Sequence, residues 1–365
     1  MTTRVPEGRG GALDALRFVA ALLIVVYHFG DEAPMALQSL HPVFARGYLA
    51  TDFFLILSGF VLGRAYGAQI ISGRTGLLAF LKKRIARIWP GQLMVLALLA
   101  AVFALATLAG AAPRNPEHYT PLAMLMQVFM VQAWGIDGGD GWNHQSWSLS
   151  ALVVCYAAFP LAWRWISKLN SPAALLSLGM GVVVGGNLLS VALLDHPIYD
   201  LDFHLGVVRA APLFLLGICI ARVVETGRPS VAGARALAVL SLVAVTLLQV
   251  AGRFDLFSLV AIAGVVLSFG RLPVAKPSAA VEEGAKLSFA LFITHGLTGL
   301  VWFGMLNVLR GKVDLAPWID WTLWAAALPA ALAVSALFHR FLDAPVQAWL
   351  APRLKSRPAT GLAAA

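Results

Sequence analysis

The stretch "LDALRFVAALLIVVYHF", Leu13 to Phe29, is long and apolar enough to cross a bilayer, yet it carries Asp14, Arg17 and His28. At about 100° per residue, the steps from Arg17 to His28 return to within about 20° of one face and climb about 16 Å along the helix axis. An ionisable residue inside a spanning helix is costly and marks a site by default. For either residue alone the alternative is an anchor, with Arg17 snorkelling to the inner surface and His28 lying among the outer headgroups.

Composition sets the solvent. With 59% hydrophobic residues, 12% charged residues and a mean hydropathy of +0.80, the chain is solvated by lipid and reads as an all-α polytopic membrane protein. Its net charge of +9 is scattered between apolar spans, which fits inner-loop cations and excludes nucleic acid as the partner. Cys155 and Cys219 lie in apolar runs without metal-type spacing and imply no disulfide. Arg4 and Arg9 precede the first apolar stretch as in a signal peptide, but Asp14 and Arg17 interrupt it, so the first span is expected to be retained.

About ten spans follow from apolar length: 12–30, 47–66, 88–112, 146–166, 172–193, 206–223, 234–251, 255–270, 287–306 and 318–340, the eighth being short. Residues 121–135 are apolar but too short to cross and read as an outer-face or re-entrant helix. With a cytoplasmic N-terminus, twenty Lys and Arg fall on inner segments (among them Arg4, Arg9, Arg228, Lys355 and Arg357) and five on outer ones: Arg46, Arg114, Arg253, Arg310 and Lys312. Arg17 and Arg209 lie within the membrane. That bias predicts both termini in the cytoplasm. The membrane domain is expected over 1–350, with a short disordered tail at 351–365. Trp142, Trp147, Trp318 and Trp321 read as an outer interfacial belt. The outer cluster Asp195, His196, Asp200, Asp202 and His204 matches no ligand spacing, so no metal site is expected.

"KKRIARIWP", Lys82 to Pro90, enters the third span from the inner side. Arg84 and Arg87 are three residues apart and share one helical face, where guanidinium groups can hold phosphate oxygens in paired hydrogen bonds. The alternative is an ordinary anchor on anionic lipid. Pro90 is expected within the first turns of the helix, where its missing N–H costs least.

Six segments, "LDALRFVAALLIVVYHF" (13–29), "DFFLILSGFVL" (52–62), "RIARIWP" (84–90), "WSLS" (147–150), "SFALFITHGL" (288–297) and "FLDAP" (341–345), together resemble the acyltransferase-3 family of integral-membrane O-acyltransferases over nearly the whole chain. The resemblance implies transfer of an acyl group, usually acetyl from acetyl-coenzyme A, to hydroxyls of cell-surface glycans, glycolipids or related small molecules. It implies a donor substrate and no permanently bound cofactor, in a bacterial-type inner membrane. The family's first-helix arginine and histidine fall on Arg17 and His28, and its Arg-x-x-Arg pair on Arg84 and Arg87.

That chemistry needs a base, oxyanion donors and a cationic grip on the donor phosphates. His28 is the expected base, oriented by Asp52 at a similar depth on the second span; Asp52 as a helix cap is the alternative. Arg17, Arg84 and Arg87 are the expected phosphate-binding group, with Asp14 a partner for Arg17. His295 reads as a second proton relay, an acceptor ligand or a core histidine. Ser58 and Ser148 offer hydroxyl contacts or merely bond within the helices. Asp343 stands where the family typically has Glu before Pro and can pair with Arg84 or Arg87. The chain departs from the family's Trp-Ser-Leu-Ser-x-Glu pattern, with Leu152 at the glutamate position. A transporter or flippase for an anionic or polyprenyl-linked substrate is the other class of function, but paired broken spans and inverted halves are not seen in the sequence.

Overall fold

The computed structural model of the chain describes residues 11–110, 115–227, 230–273 and 276–354. Arg4, Arg9, Arg114, Arg228, Lys355, Arg357 and the expected tail from residue 355 onward lie outside the described residues. The described residues form an all-helical bundle without a strand. Ten long helices follow one another: α1 (Gly11–Gly30), α2 (Leu49–Ile71), α3 (Leu77–Leu108), α4 (Trp147–Ile166), α5 (Pro172–Leu194), α6 (Gly206–Thr226), α7 (Val231–Ala251), α8 (Asp255–Arg271), α9 (Ala279–Arg310) and α10 (Pro317–Phe338). Nine of the described helices are long and apolar enough to cross a membrane, one fewer than expected. The exception is α8, whose 17 residues rise about 25 Å, less than the thickness of a hydrocarbon core.

Side-chain chemistry sets several helix starts. The hydroxyls of Ser171, Ser230 and Ser278 accept from the backbone N–H groups of Ala174, Gly233 and Val281, capping α5, α7 and α9. Thr120 caps the short helix Pro121–Val128 in the same way, so the apolar 121–135 stretch is one short helix followed by turns. Between α7 and α8, Gly252 (φ +67°) takes a left-handed conformation open to glycine at no steric cost and reverses the chain.

The centre of the bundle is the crossing of α2 and α6. Lipid offers no hydrophobic drive for helix association, so close packing through small residues must supply it. A Cβ at Gly59 would collide with the Phe214 carbonyl, and one at Gly217 with the Ile56 carbonyl, so the two backbones touch. Gly63 and Gly67, each a further four residues along α2, make room for the Trp163 ring of α4. On the other side, α1, α9 and α10 share a second core of Ala21, Val25, Leu291, Phe303, Ala327 and Ala331. Trp324 Nε1 donates to the Phe29 carbonyl at 2.8 Å and ties α10 to the end of α1.

Helix α3 corrects the expectation for Pro90. It begins at Leu77, so Pro90 is mid-helix and deprives the Ala86 carbonyl of its N–H donor. Gln347, on the closing helix Ala344–Leu350, donates to that carbonyl at 3.1 Å. The early start also carries Lys82, Arg84 and Arg87 on a 32-residue helix of about 48 Å, well beyond what a bilayer core requires. The expected tryptophan belt is also corrected in part. Trp142 packs among Phe103 and Tyr119, and Trp147 stacks beside Arg209, whereas Trp318 is 71% exposed.

Candidate active site

The end of α1 delivers His28 to the edge of α9. Its ring lies 5.2 Å, centroid to centroid, from that of His295. His295 is fully buried, and its Nδ1 lies 2.7 Å from the Phe292 carbonyl and 3.2 Å from that of Leu291. A carbonyl only accepts, so Nδ1 carries the proton and, in the neutral ring, Nε2 carries a lone pair. That Nε2 is buried without a hydrogen-bond partner among the described residues. His28 itself is exposed, and the surface it exposes lines two cavities.

The larger cavity, about 1090 Å3, runs between the C-terminal parts of α1, α3 and α9, with His28, His144, Gln145 and His295 at one end and apolar residues such as Val102, Phe103 and Val308 along it. The smaller, about 270 Å3, is ringed by Tyr27, Tyr48, Trp147, Tyr199, Asp200 and Arg209. His144 borders both. Its Nδ1 lies 2.7 Å from one oxygen of Asp140, and His118 Nδ1 lies 2.7 Å from the other. Both rings therefore donate to Asp140, and the hydrogen bond from His144 is the main reason that the Asp140 carboxyl is held well below the usual carboxylate range.

A network of buried amides fixes the segment that carries His144. Ser146 Oγ accepts from Gln92 Nε2 and Gln132 Nε2, each at 3.0 Å. Gln127 Oε1 accepts from the Asn143 N–H, and Asn143 donates onward to Gln92 Oε1 at 2.8 Å. The turn His144–Ser146 thus leads into α4 with little freedom.

Asp52 is not the orienting partner of His28. It is fully buried and receives two hydrogen bonds from Arg209 of α6, at 2.8 Å from Nε and 3.0 Å from Nη2. The histidine–carboxylate pair expected there occurs instead at His144 and Asp140. The cause is azimuth: seven steps from Asp52 to Gly59 return to within about 20° of one face, so Asp52 points where the α2 glycines point, at α6.

A second group of charges gathers along α1, α3 and α9. Arg17 Nη1 pairs with Asp14 at 3.3 Å, as expected within one helix. Arg84 donates to the Tyr66 hydroxyl at 3.0 Å and stacks on that ring, while its Nε is buried without a partner among the described residues. Arg87 pairs with buried Asp343 at 2.9 Å and stacks on Phe289, its guanidinium 4.6 Å from the ring centroid. Tyr156 lies within electrostatic range of Arg84, Arg17 and Arg87 together. From Phe289 to His295 is six residues of α9, about 9 Å of rise, so Arg87 and the histidine pair meet the same helix at two levels.

Ser58 donates to the Phe54 carbonyl at 2.7 Å within its own helix and Ser148 is buried in α4. Leu152 packs into the core, so no carboxylate stands at that position. Gln145, Arg209 and Asp140 were not foreseen as site residues. The glycine stripe of α2 held a signal for Arg209, since it names the face on which Asp52 needs a partner; Gln145 and Asp140 lie in an irregular segment with no period to read.

The family model of the acyltransferase-3 family, described as an acyltransferase domain, matches residues 11–340. A Rhizobium radiobacter protein called protein 2 in picA locus is 42% identical over 102 residues, 27% of this chain and 48% of that protein. Acyltransferase MdmB of Streptomyces mycarofaciens is 29% identical over 165 residues, 43% of this chain and 40% of its own length. The matched segments thus span less than half of each of these relatives. No solved structure matches the chain.

Proposed function

Because the chain belongs to the acyltransferase-3 family, we propose that it is an integral-membrane O-acyltransferase that moves an acyl group, acetyl in the simplest case, from acyl-coenzyme A to a hydroxyl of a glycan, glycolipid or related small molecule. The observation that carries this reading is His28, exposed in a cavity of about 1090 Å3 beside a His295 whose backbone bonds fix its tautomer. A hydroxyl entering that cavity meets a ring nitrogen able to take its proton. The freed oxygen attacks the thioester carbonyl, the carbon–sulfur bond breaks, and the departing thiolate takes the proton back.

Arg84, Arg87 and Arg17 suit the anionic end of such a donor. Among the described residues nothing uses the buried Arg84 Nε–H, and Arg87 is aimed by Asp343. The excess of cations on the segments at this end supports an orientation with the arginines toward the cytoplasm of a bacterial cell and the histidines toward the outer face. The acyl-bearing arm of the donor then points along α1 and α9 toward the acceptor. Asp52, in this reading, is a structural partner of Arg209 and takes no part in proton transfer.

The test is thiol release from acetyl-coenzyme A by the purified protein with a panel of glycans and small alcohols. Transfer that His28→Ala abolishes while donor binding survives supports the reading. A wild-type protein that transfers to no acceptor and does not hydrolyse the donor overturns it, and transfer that persists in His28→Ala removes His28 as the base.

A further inference from the structure

Acyl transfer requires donors for the charge that develops on the carbonyl oxygen, and they act best when preorganised in a site from which water is excluded. The carboxamide of Gln145 meets that description. Gln145 is 8% exposed, and its Nε2 has no hydrogen-bond partner among the described residues. Leaving a buried amide N–H unpaired is destabilising unless something else uses it.

The fold makes room for the group in two ways. The 143–146 segment is held by the bonds among Gln92, Gln127, Gln132, Asn143 and Ser146, while Gln145 alone in that segment turns its amide nitrogen away from them. Across from it, position 296 is glycine, and a Cβ there would overlap the Gln145 Nε2 where it now sits. The amide therefore lies on the backbone of α9 immediately after His295, and both residues border the cavity that His28 lines.

We propose that Gln145 is a catalytic residue of the transfer, its Nε2–H donating to the carbonyl oxygen of the acyl thioester as that oxygen becomes an oxyanion. This rests on the acyltransferase reading. The hydroxyl oxygen forms a bond to the carbonyl carbon, its proton goes to His28, and the carbonyl π pair moves onto the oxygen facing Gln145. Collapse returns the pair, breaks the carbon–sulfur bond and expels the thiolate, which recovers the proton.

Gln145→Met tests this, because it keeps the side-chain length and removes the unpaired amide. Initial rates with acetyl-coenzyme A as donor and a methyl glycoside or water as acceptor are measured beside the melting temperature in detergent. The expected result is a kcat lower by about 10²–10³-fold, KM within about threefold of wild type, and a melting temperature equal to or above wild type. Gly296→Ala, which crowds the amide out of place without altering its chemistry, is expected to lower kcat in the same direction. A kcat within threefold of wild type in folded Gln145→Met, or an effect confined to KM, overturns the assignment. A lower melting temperature in Gln145→Met with proportionate loss of activity also overturns it, since that is the signature of a packing role. An inactive wild type counts against the enzyme reading itself and is scored before any variant.

Discussion

Arg87 and Asp343 lie 256 positions apart in the chain, and their side chains meet at 2.9 Å. The pair is asymmetric: Asp343 is 2% exposed at its side chain and Arg87 38%. Removing the arginine leaves a buried carboxylate beside His339 at 3.3 Å, whereas removing the carboxylate leaves a guanidinium that water can reach. Arg87→Ala is therefore expected to cost more stability than Asp343→Asn, about 3 against about 1 kcal/mol, measured as unfolding in a denaturing detergent. Both variants are expected to weaken acetyl-coenzyme A binding, Asp343→Asn by less. An Asp343→Asn protein that binds the donor as wild type does removes Asp343 as the residue that aims Arg87.

Gln347 and Pro90 form a second coupled pair. The Ala86 carbonyl lacks its helical donor because of Pro90 and accepts from Gln347 instead. Gln347→Ala is expected to destabilise by about 1 kcal/mol, the cost of taking the protein donor from a half-buried carbonyl. In a Pro90→Ala background the backbone N–H at position 90 supplies the missing bond, so the same substitution is expected to cost close to nothing. Equal costs in the two backgrounds would show that Gln347 serves the helix in some other way.

The relation between these pairs and the sequence is uneven for a physical reason. Helix positions, the apolar faces and the axial depth of Arg17 and His28 follow from rise and period, which a single chain displays. The partner of a buried charge depends on which helix face meets which, and depth alone does not give azimuth. Asp52 shows this: its level matched His28, but its face matched Gly59 and so Arg209. Pro90 was misplaced because α3 extends past the apolar span through cations that leave no hydrophobic trace. The site segment around Gln145 was not legible at all, because its order comes from side-chain amides bonded across the fold.

The Asp52–Arg209 bond places two charges in the interior, with both residues at most 5% exposed. Breaking such a pair from either side strands a charge, so Asp52→Leu and Arg209→Met are each expected to destabilise by about 3–5 kcal/mol. The double variant Asp52→Leu/Arg209→Met strands none and is expected to recover most of that loss, with donor binding and His28-dependent transfer retained. Comparison of the three unfolding curves with that of wild type gives the coupling directly. A double variant as unstable as the sum of the singles would mean that the two residues act separately; one that folds yet loses transfer would return Asp52 to the chemistry.

Asp140 gives the segment before α4 a pH dependence whose sign follows from its partners. Hydrogen bonds from His144, from the Gly141 N–H at 2.7 Å and from His118 hold its carboxyl below the ordinary value of about 4, against a smaller opposing effect of burial. A depressed carboxylate contributes stability that is fully present above its unfolded value and is lost as pH falls through the folded one. The 136–146 segment is therefore expected to keep its amide protection from neutral pH down to about 5 and to lose it progressively below about 4. Hydrogen exchange followed by mass spectrometry across that range reads it segment by segment. In Asp140→Asn the segment is expected to be less protected at pH 7 and nearly flat with acid, while α2 and α6 exchange as in wild type. Loss of protection in wild type at pH 6, unchanged by Asp140→Asn, would assign the titration to a group other than this carboxylate.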